Sequence, residues 1–148
     1  MIGTISTIMM LAAPILIIAT GGMICERSGV TNVGLDGLMS IGACTAAIVH
    51  QLLEAAGVGR ISLTVALLAA ALVSMLISVL HAIASVDLKS DQTISGTGIN
   101  LLATGITVFV CQRIYGTDRS TEFKMGMVKD GIGFYPTLYI AIVVVVLA

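Results

Sequence analysis

Charge is what this sequence most lacks: seven basic and eight acidic residues in 148, or 10%. A soluble domain has to clothe its outside in polar groups, and about a quarter of its residues are ordinarily charged. Here the hydrophobic share is 57% and the mean hydropathy is +1.10. Such a chain cannot cover a water-facing surface, whereas in lipid the outside is itself apolar. Catalytic signatures are missing as well. There is no HExxH, no Walker A loop, no GxSxG, no paired His/Cys ligand set, and no Ser/His/Asp grouping that spacing alone would assemble. No catalytic residue, cofactor or metal site is therefore expected, and passage of a solute is a better reading than a reaction. With a net charge of −1 and no basic run, nothing points to a nucleic-acid partner. The apolar N-terminus lacks a basic leader region and a small-residue cleavage site, so it reads as a first span. Cys25, Cys44 and Cys111 lie in or beside apolar stretches without metal-ligand spacing. They read as small lipid-embedded packing residues rather than as a disulfide or zinc site.

The charges that are present are gathered between five charge-free stretches: 1–25, 37–53, 61–86, 92–112 and 131–148. A helix needs about 20 mostly apolar residues to cross a hydrocarbon core of about 30 Å. The first, third and fourth stretches meet that length, and the second does so if polar residues at its ends sit at the interface. The expected fold is all-α and membrane-integral, a polytopic bundle of four full spans forming one transmembrane domain over 1–148. The spans fall at about Ile2–Ile24, Val33–Leu53, Ile61–Val86 and Thr93–Cys111. A fifth apolar run, Phe134 to Ala148, reaches only about 22 Å as a helix. It closes without the aromatic or basic anchor usual at the end of a span. It reads as a chain cut inside a helix, which makes the domain C-terminally truncated; a short tilted or re-entrant helix is the other reading.

Local signals refine the spans. Pro14 removes a backbone hydrogen bond in the middle of span 1 and predicts a kink, and Gly21-Gly22 suggests close approach or a break. Span 3 repeats small residues every fourth position: Ser62, Ala66, Ala70, Ser74, Ser78 and Ala82. In a bilayer nothing hydrophobic drives helices together, so such a stripe marks close backbone packing. His81 lies near that side and reads as a hydrogen-bonded interfacial residue rather than a ligand. Spans 2 and 4 open unusually, with Asn32, Gly34, Asp36 and Gly37 in one and Ser95, Gly96, Thr97, Gly98 and Asn100 in the other. Asp36 either faces a wet interior or simply favours a helix N-terminus. Glycines and Asn in the first turns of span 4 imply an unwound, tightly packed or cavity-lining region, or a capped start near the headgroups. These two openings are the only candidates for a functional site, because a polar solute at membrane depth needs hydrogen-bonding partners and exposed backbone.

The same residues carry a resemblance. The run Cys25 to Ala43, CERSGVTNVGLDGLMSIGA, is similar to the SERSGVVNIGLEGMMLIGA signature of ATP-binding-cassette permeases for simple sugars and nucleosides. Their broader superfamily includes the ribose and branched-chain amino-acid permeases. The run Leu88 to Thr107, LKSDQTISGTGINLLATGIT, resembles the same family's KADQVVSGTAINLLALGLT segment. The resemblance implies an importer subunit in the bacterial cytoplasmic (inner) membrane. A second permease subunit would complete the pathway, cytoplasmic ATPases would bind the ATP, and an extracytoplasmic solute-binding lipoprotein would deliver the cargo. By position, Asn32, Gly34, Asp36, Gly37, Ser95, Gly96, Thr97 and Asn100 fall on the signatures and become the expected pathway residues. Family members run to about twice this length, and no ATPase-docking loop is recognisable here.

Orientation is read in two ways. A count of basic residues (Arg60, Arg113, Arg119, Lys124 and Lys129 against Arg27 and Lys89) puts the polar segment Gln112–Gly133 in the cytoplasm. The resemblance puts it outside and outweighs so thin a margin. A self-contained four-span protein, such as a homodimeric exporter or a structural partner subunit, is the alternative function. It is disfavoured by the lack of an acidic residue deep in stretch 1–25. On the pathway reading, replacing Asn32 or Asn100 by Leu in a complete transporter should impair uptake and leave assembly intact.

Overall fold

The computed structural model describes residues 2–59, 61–120 and 136–147, and every regular element among them is helical. Helix α1 is Ile2–Arg27, α2 is Leu35–Ala55 and α3 is Ile61–Ala82, which runs on into a π-helical turn, Ile83–Asp87. Helix α4 is Gln92–Tyr115 and α5 is Pro136–Leu147. The first four, α3 taken with its π turn, are long and apolar enough to cross a membrane. Helix α5 has 12 residues, which gives a length of about 18 Å. Helix α4 extends past the expected Cys111 to Tyr115, taking in the start of the segment read as a loop. It stops at Gly116, whose φ of +68° is the left-handed conformation that ends helices cheaply only at glycine. Arg60, Lys124 and Lys129 of the charge count, and residues 121–133 of the polar segment, lie outside the described residues.

The helices fall into two compact units. The first contains α1 and α5, which pack on each other. Helix α1 continues through Pro14 and Gly21-Gly22, so the expected break does not occur. A Cβ at Gly21 would meet nothing within 4 Å, so no backbone approaches it within the described residues. The buried residues of α1 are instead Ser6, Ala13 and Thr20. Seven residues are nearly two full turns, so these three share one line on the helix. The Thr20 hydroxyl donates to the Leu16 and Ile17 carbonyls at 3.1 and 2.7 Å, which satisfies it inside its own helix. Small buried residues on α1, with Leu138 and Ala141 buried on α5, allow the close contact that lipid does not otherwise promote.

The second unit contains α2, α3 with its π turn, and α4. Helices α2 and α3 form an antiparallel hairpin, turned where Gly57 adopts φ +77°. On α3, Ser62 and Ala66 are wholly buried, Ala70 is 9% exposed, Ser74 and Ser78 are half-buried, and Ala82 is exposed. The drift has a simple cause. Four residues advance a helix by about 400°, so the stripe rotates about 40° per step and stands about 200° from its start at Ala82. The buried face holds its direction by stepping back to His81 and then to Ser85, both buried. Ala82 is thus not part of the packing face.

At the turn end of the hairpin, Ser62 Oγ lies 3.1 Å from His50 Nδ1, and His50 Nε2 lies 3.3 Å from Glu54 Oε1. Sequence spacing did not reveal this Ser–His–Glu grouping, because it forms only when the hairpin closes. Ser62 has no accessible surface, so the cluster pins α2 to α3 and does not face a substrate. The stripe yields a direct comparison. In denaturant unfolding of the detergent-solubilised chain, Ala66→Leu should cost about 1–3 kcal/mol by overpacking. Ala82→Leu should stay within about 0.5 kcal/mol; equal effects would contradict the drift.

Candidate functional site

Helix α3 runs back between α2 and α4, so α2 and α4 begin at the same end of this unit and run in the same direction. The two polar openings meet there. A Cβ at Gly96 would lie 2.8 Å from the Gly34 nitrogen and 3.0 Å from Val33 Cβ. A Cβ at Gly37 would lie 2.9 Å from Asn100 Cα and 3.0 Å from Ala103 Cβ. These distances are shorter than real side chains tolerate, so the helices touch through bare backbone. Glycine at 37 and 96 is therefore a packing requirement of this seam.

Asn100 fastens the contact. Its Oδ1 accepts from the Gly37 N–H at 2.7 Å, and its Nδ2 donates to the Val33 carbonyl at 3.0 Å. Gly37 lies in the first turn of α2, where N–H groups have no partner within the helix. Helix α2 has no side-chain cap at its own N-cap position, Gly34. The side chain of α4 thus does part of the capping of α2 across the seam. Asn32 Oδ1 accepts from the Gly34 N–H at 3.0 Å and shapes the approach to the helix. Helix α4 is capped locally: Asp91 Oδ1 accepts from the Thr93 and Ile94 N–H groups at 2.8 and 3.0 Å.

The eight expected residues therefore separate into three groups. Asn32, Gly34, Gly37, Gly96 and Asn100 build the seam. Ser95 turns to α3, where its Oγ lies 3.0 Å from the Nδ1 of buried His81. Asp36 and Thr97 are exposed beside the seam. Asp36 stands in the first turn of α2, where the helix dipole favours a carboxylate. Of the readings offered for the start of α4, close packing describes Gly96 and a capped start describes Asp91, and the backbone there is regular helix. A Cβ at Gly98 would meet nothing within 4 Å, so this glycine belongs to the open side.

Sequence reasoning missed one feature of this region. Thr93, Thr97 and Thr104 are exposed and Thr107 is half-buried on α4, at spacings that place them along one face beside the seam. Thr97, Thr104 and Thr107 return their hydroxyl protons to the carbonyls of Thr93, Asn100 and Thr104 at 2.8, 2.9 and 3.1 Å. Their oxygens keep lone pairs for an outside donor. A count of hydroxyl residues at helical spacing would have found this face.

Both openings lie inside the region matched by a protein family described as "Branched-chain amino acid transport system / permease component", which spans residues 4–148. The chain belongs to that permease family. Among similar proteins, the guanosine ABC transporter permease protein NupQ of Bacillus subtilis is 42% identical over 130 residues, 86% of this chain and 40% of NupQ. The nucleoside ABC transporter permease protein NupC of Lactococcus lactis is 37% identical over 111 residues, 75% of this chain and 35% of NupC. The chain thus spans well under half the length of these relatives. No solved structure matches it.

The seam changes the expectation for Asn100→Leu in this permease. Removing the amide strands the N–H of buried Gly37, at about 1–3 kcal/mol for a buried group left unpaired. Assembly should therefore suffer along with uptake. Two glycines test the contact itself. Gly96→Ala should destabilise the solubilised chain by about 1–3 kcal/mol. Gly98→Ala should be neutral or stabilising by up to about 1 kcal/mol, because alanine is the better helix former in open space. Similar losses for the two would contradict the backbone contact.

Proposed function

We propose that this chain supplies part of the translocation pathway of an ATP-binding-cassette importer for nucleosides, with simple sugars as the other cargo class. The observation that carries the reading is the threonine face of α4 running beside a glycine seam built from the two signature segments. A nucleoside or sugar crossing a membrane must exchange its hydration for hydrogen bonds, and hydroxyl oxygens on a rigid helix supply acceptors at low entropic cost. The similarity to permeases named for guanosine and nucleosides favours nucleosides within that class. On this reading Asp36 and Thr97, beside the seam, face the solute, and Asn32 and Asn100 position the helices that carry them.

The subunit would itself catalyse no reaction. It would be a multi-pass protein of the bacterial cytoplasmic membrane and would pair with a second permease subunit. Separate cytoplasmic ATPases would bind ATP, and a solute-binding lipoprotein would deliver cargo from outside. The lipid bilayer accounts for the rest of its exposed apolar surface.

Uptake of labelled guanosine and glucose by the host tests the proposal. Disrupting the reading frame should abolish nucleoside uptake and leave glucose uptake unchanged. Loss of glucose uptake alone would transfer the assignment to sugars, and no change in either would overturn it. Thr97→Val removes a hydroxyl from an exposed site at nearly constant shape. It should reduce uptake severalfold with normal abundance in the membrane; full uptake would remove the α4 face from the path.

A further inference from the structure

Two enclosed polar residues at the end of α3 stand one turn apart on its buried face. His81 is 3% exposed and Ser85 is 8% exposed. His81 Nδ1 lies 3.0 Å from Ser95 Oγ on α4. The other ring nitrogen, Nε2, and Ser85 Oγ are both buried and have no hydrogen-bond partner among the described residues. Buried polar atoms are nearly always paired, with protein or with ordered water. Ser85 also differs from the hydroxyl residues around it. Thr97 and Thr104 return their protons to carbonyls four residues back, and Ser90 Oγ donates to the Ala84 carbonyl at 2.7 Å. Ser85 lies in the π turn, where the Leu88 N–H bonds to the Ile83 carbonyl and the Ser90 N–H to the Ala84 carbonyl, both at 3.0 Å. These bonds span five and six residues, so the turn is wider than the α turns before it.

We propose that His81 Nε2 and Ser85 Oγ together bind one internal water beside the π turn. Side chains four apart on a helix face have Cβ atoms about 5–6 Å apart. Two hydrogen bonds through a single water oxygen, at about 2.8 Å each, cover a gap of that order. Enclosure decides the size of the ligand. Both atoms are shut off from the surface, so a solute larger than water has no opening to reach them. The chemistry suits water equally well. A water molecule can donate or accept, so it satisfies Nε2 in either ring tautomer and pairs with the serine hydroxyl in either sense. Two protein partners fall within the range of about 2–4 that hold a buried water. The resulting chain runs from Ser95 through His81 and the water to Ser85. It ties the start of α4, next to Gly96 of the seam, to the π turn that ends α3.

NMR of the detergent-solubilised full chain, carrying isotopically labelled histidine, tests the site, with the His81 ring identified by its loss in His81→Gln. The His81 Cε1 proton should show cross-relaxation with a long-lived water. In Ser85→Val, whose methyl groups take the place of the water, that signal should vanish and the Nε2 resonance should shift. The Nδ1 resonance should hold, because Ser95 still binds it. Ser85→Ala disturbs the packing less and should weaken the cross-relaxation severalfold. Three results would each overturn the proposal: no water signal in the unsubstituted chain, an Nε2 resonance that neither substitution moves, or a joint shift of both ring nitrogens in both variants.

Discussion

The second unit depends on backbone contact between the starts of α2 and α4. Gly37 and Gly96 leave no room for a side chain, so the two helices meet at a distance set by main-chain atoms. In water such an approach would be rewarded by burial of apolar surface. In lipid that drive is absent, and dispersion contacts and hydrogen bonds must replace it. Asn100 supplies the hydrogen bonds, capping α2 from α4 through Gly37 and Val33. Close approach and capping reinforce each other, because the amide reaches the α2 backbone only where glycine permits the contact.

Other features are arranged around that seam. Helix α3 packs on α2 through Ser62, Ala66 and Ala70, and Ser74 reaches the Leu38 carbonyl at 3.1 Å. At the far end of the α2–α3 hairpin, His50 binds Ser62 and Glu54. At the near end, the π turn follows His81, which is bonded to Ser95 on α4. Polar side chains inside this unit are thus used mainly to join helices. The threonine face of α4 differs, since its hydroxyls are satisfied within the helix and its oxygens face outward. This difference separates residues whose polar atoms join helices from residues whose oxygens stay open on the helix surface.

Much of the fold was legible because lipid imposes a strict rule: a charge-free stretch of sufficient length becomes a helix. The span limits shifted by only a few residues, as at Arg27 and Tyr115. The small-residue stripe on α3 was legible over its first half and misleading at its end, because a period of four is not the helical period. Asn32 and Asn100 stood out as polar residues at membrane depth. The use of Asn100 in fastening helices was hidden, because its partners are main-chain groups more than 60 positions away.

By itself, the sequence determined the class of molecule, the number of long apolar helices among the described residues and the two segments that carry the family resemblance. Those properties follow from hydropathy and local residue pattern, which do not depend on the partner a helix meets. Only the tertiary structure decided that glycine faces glycine across α2 and α4, that Asn100 caps a neighbouring helix, and that His50 meets Ser62. These depend on the register between helices. Register is set by contacts distributed along whole interfaces, and no local stretch of sequence contains it.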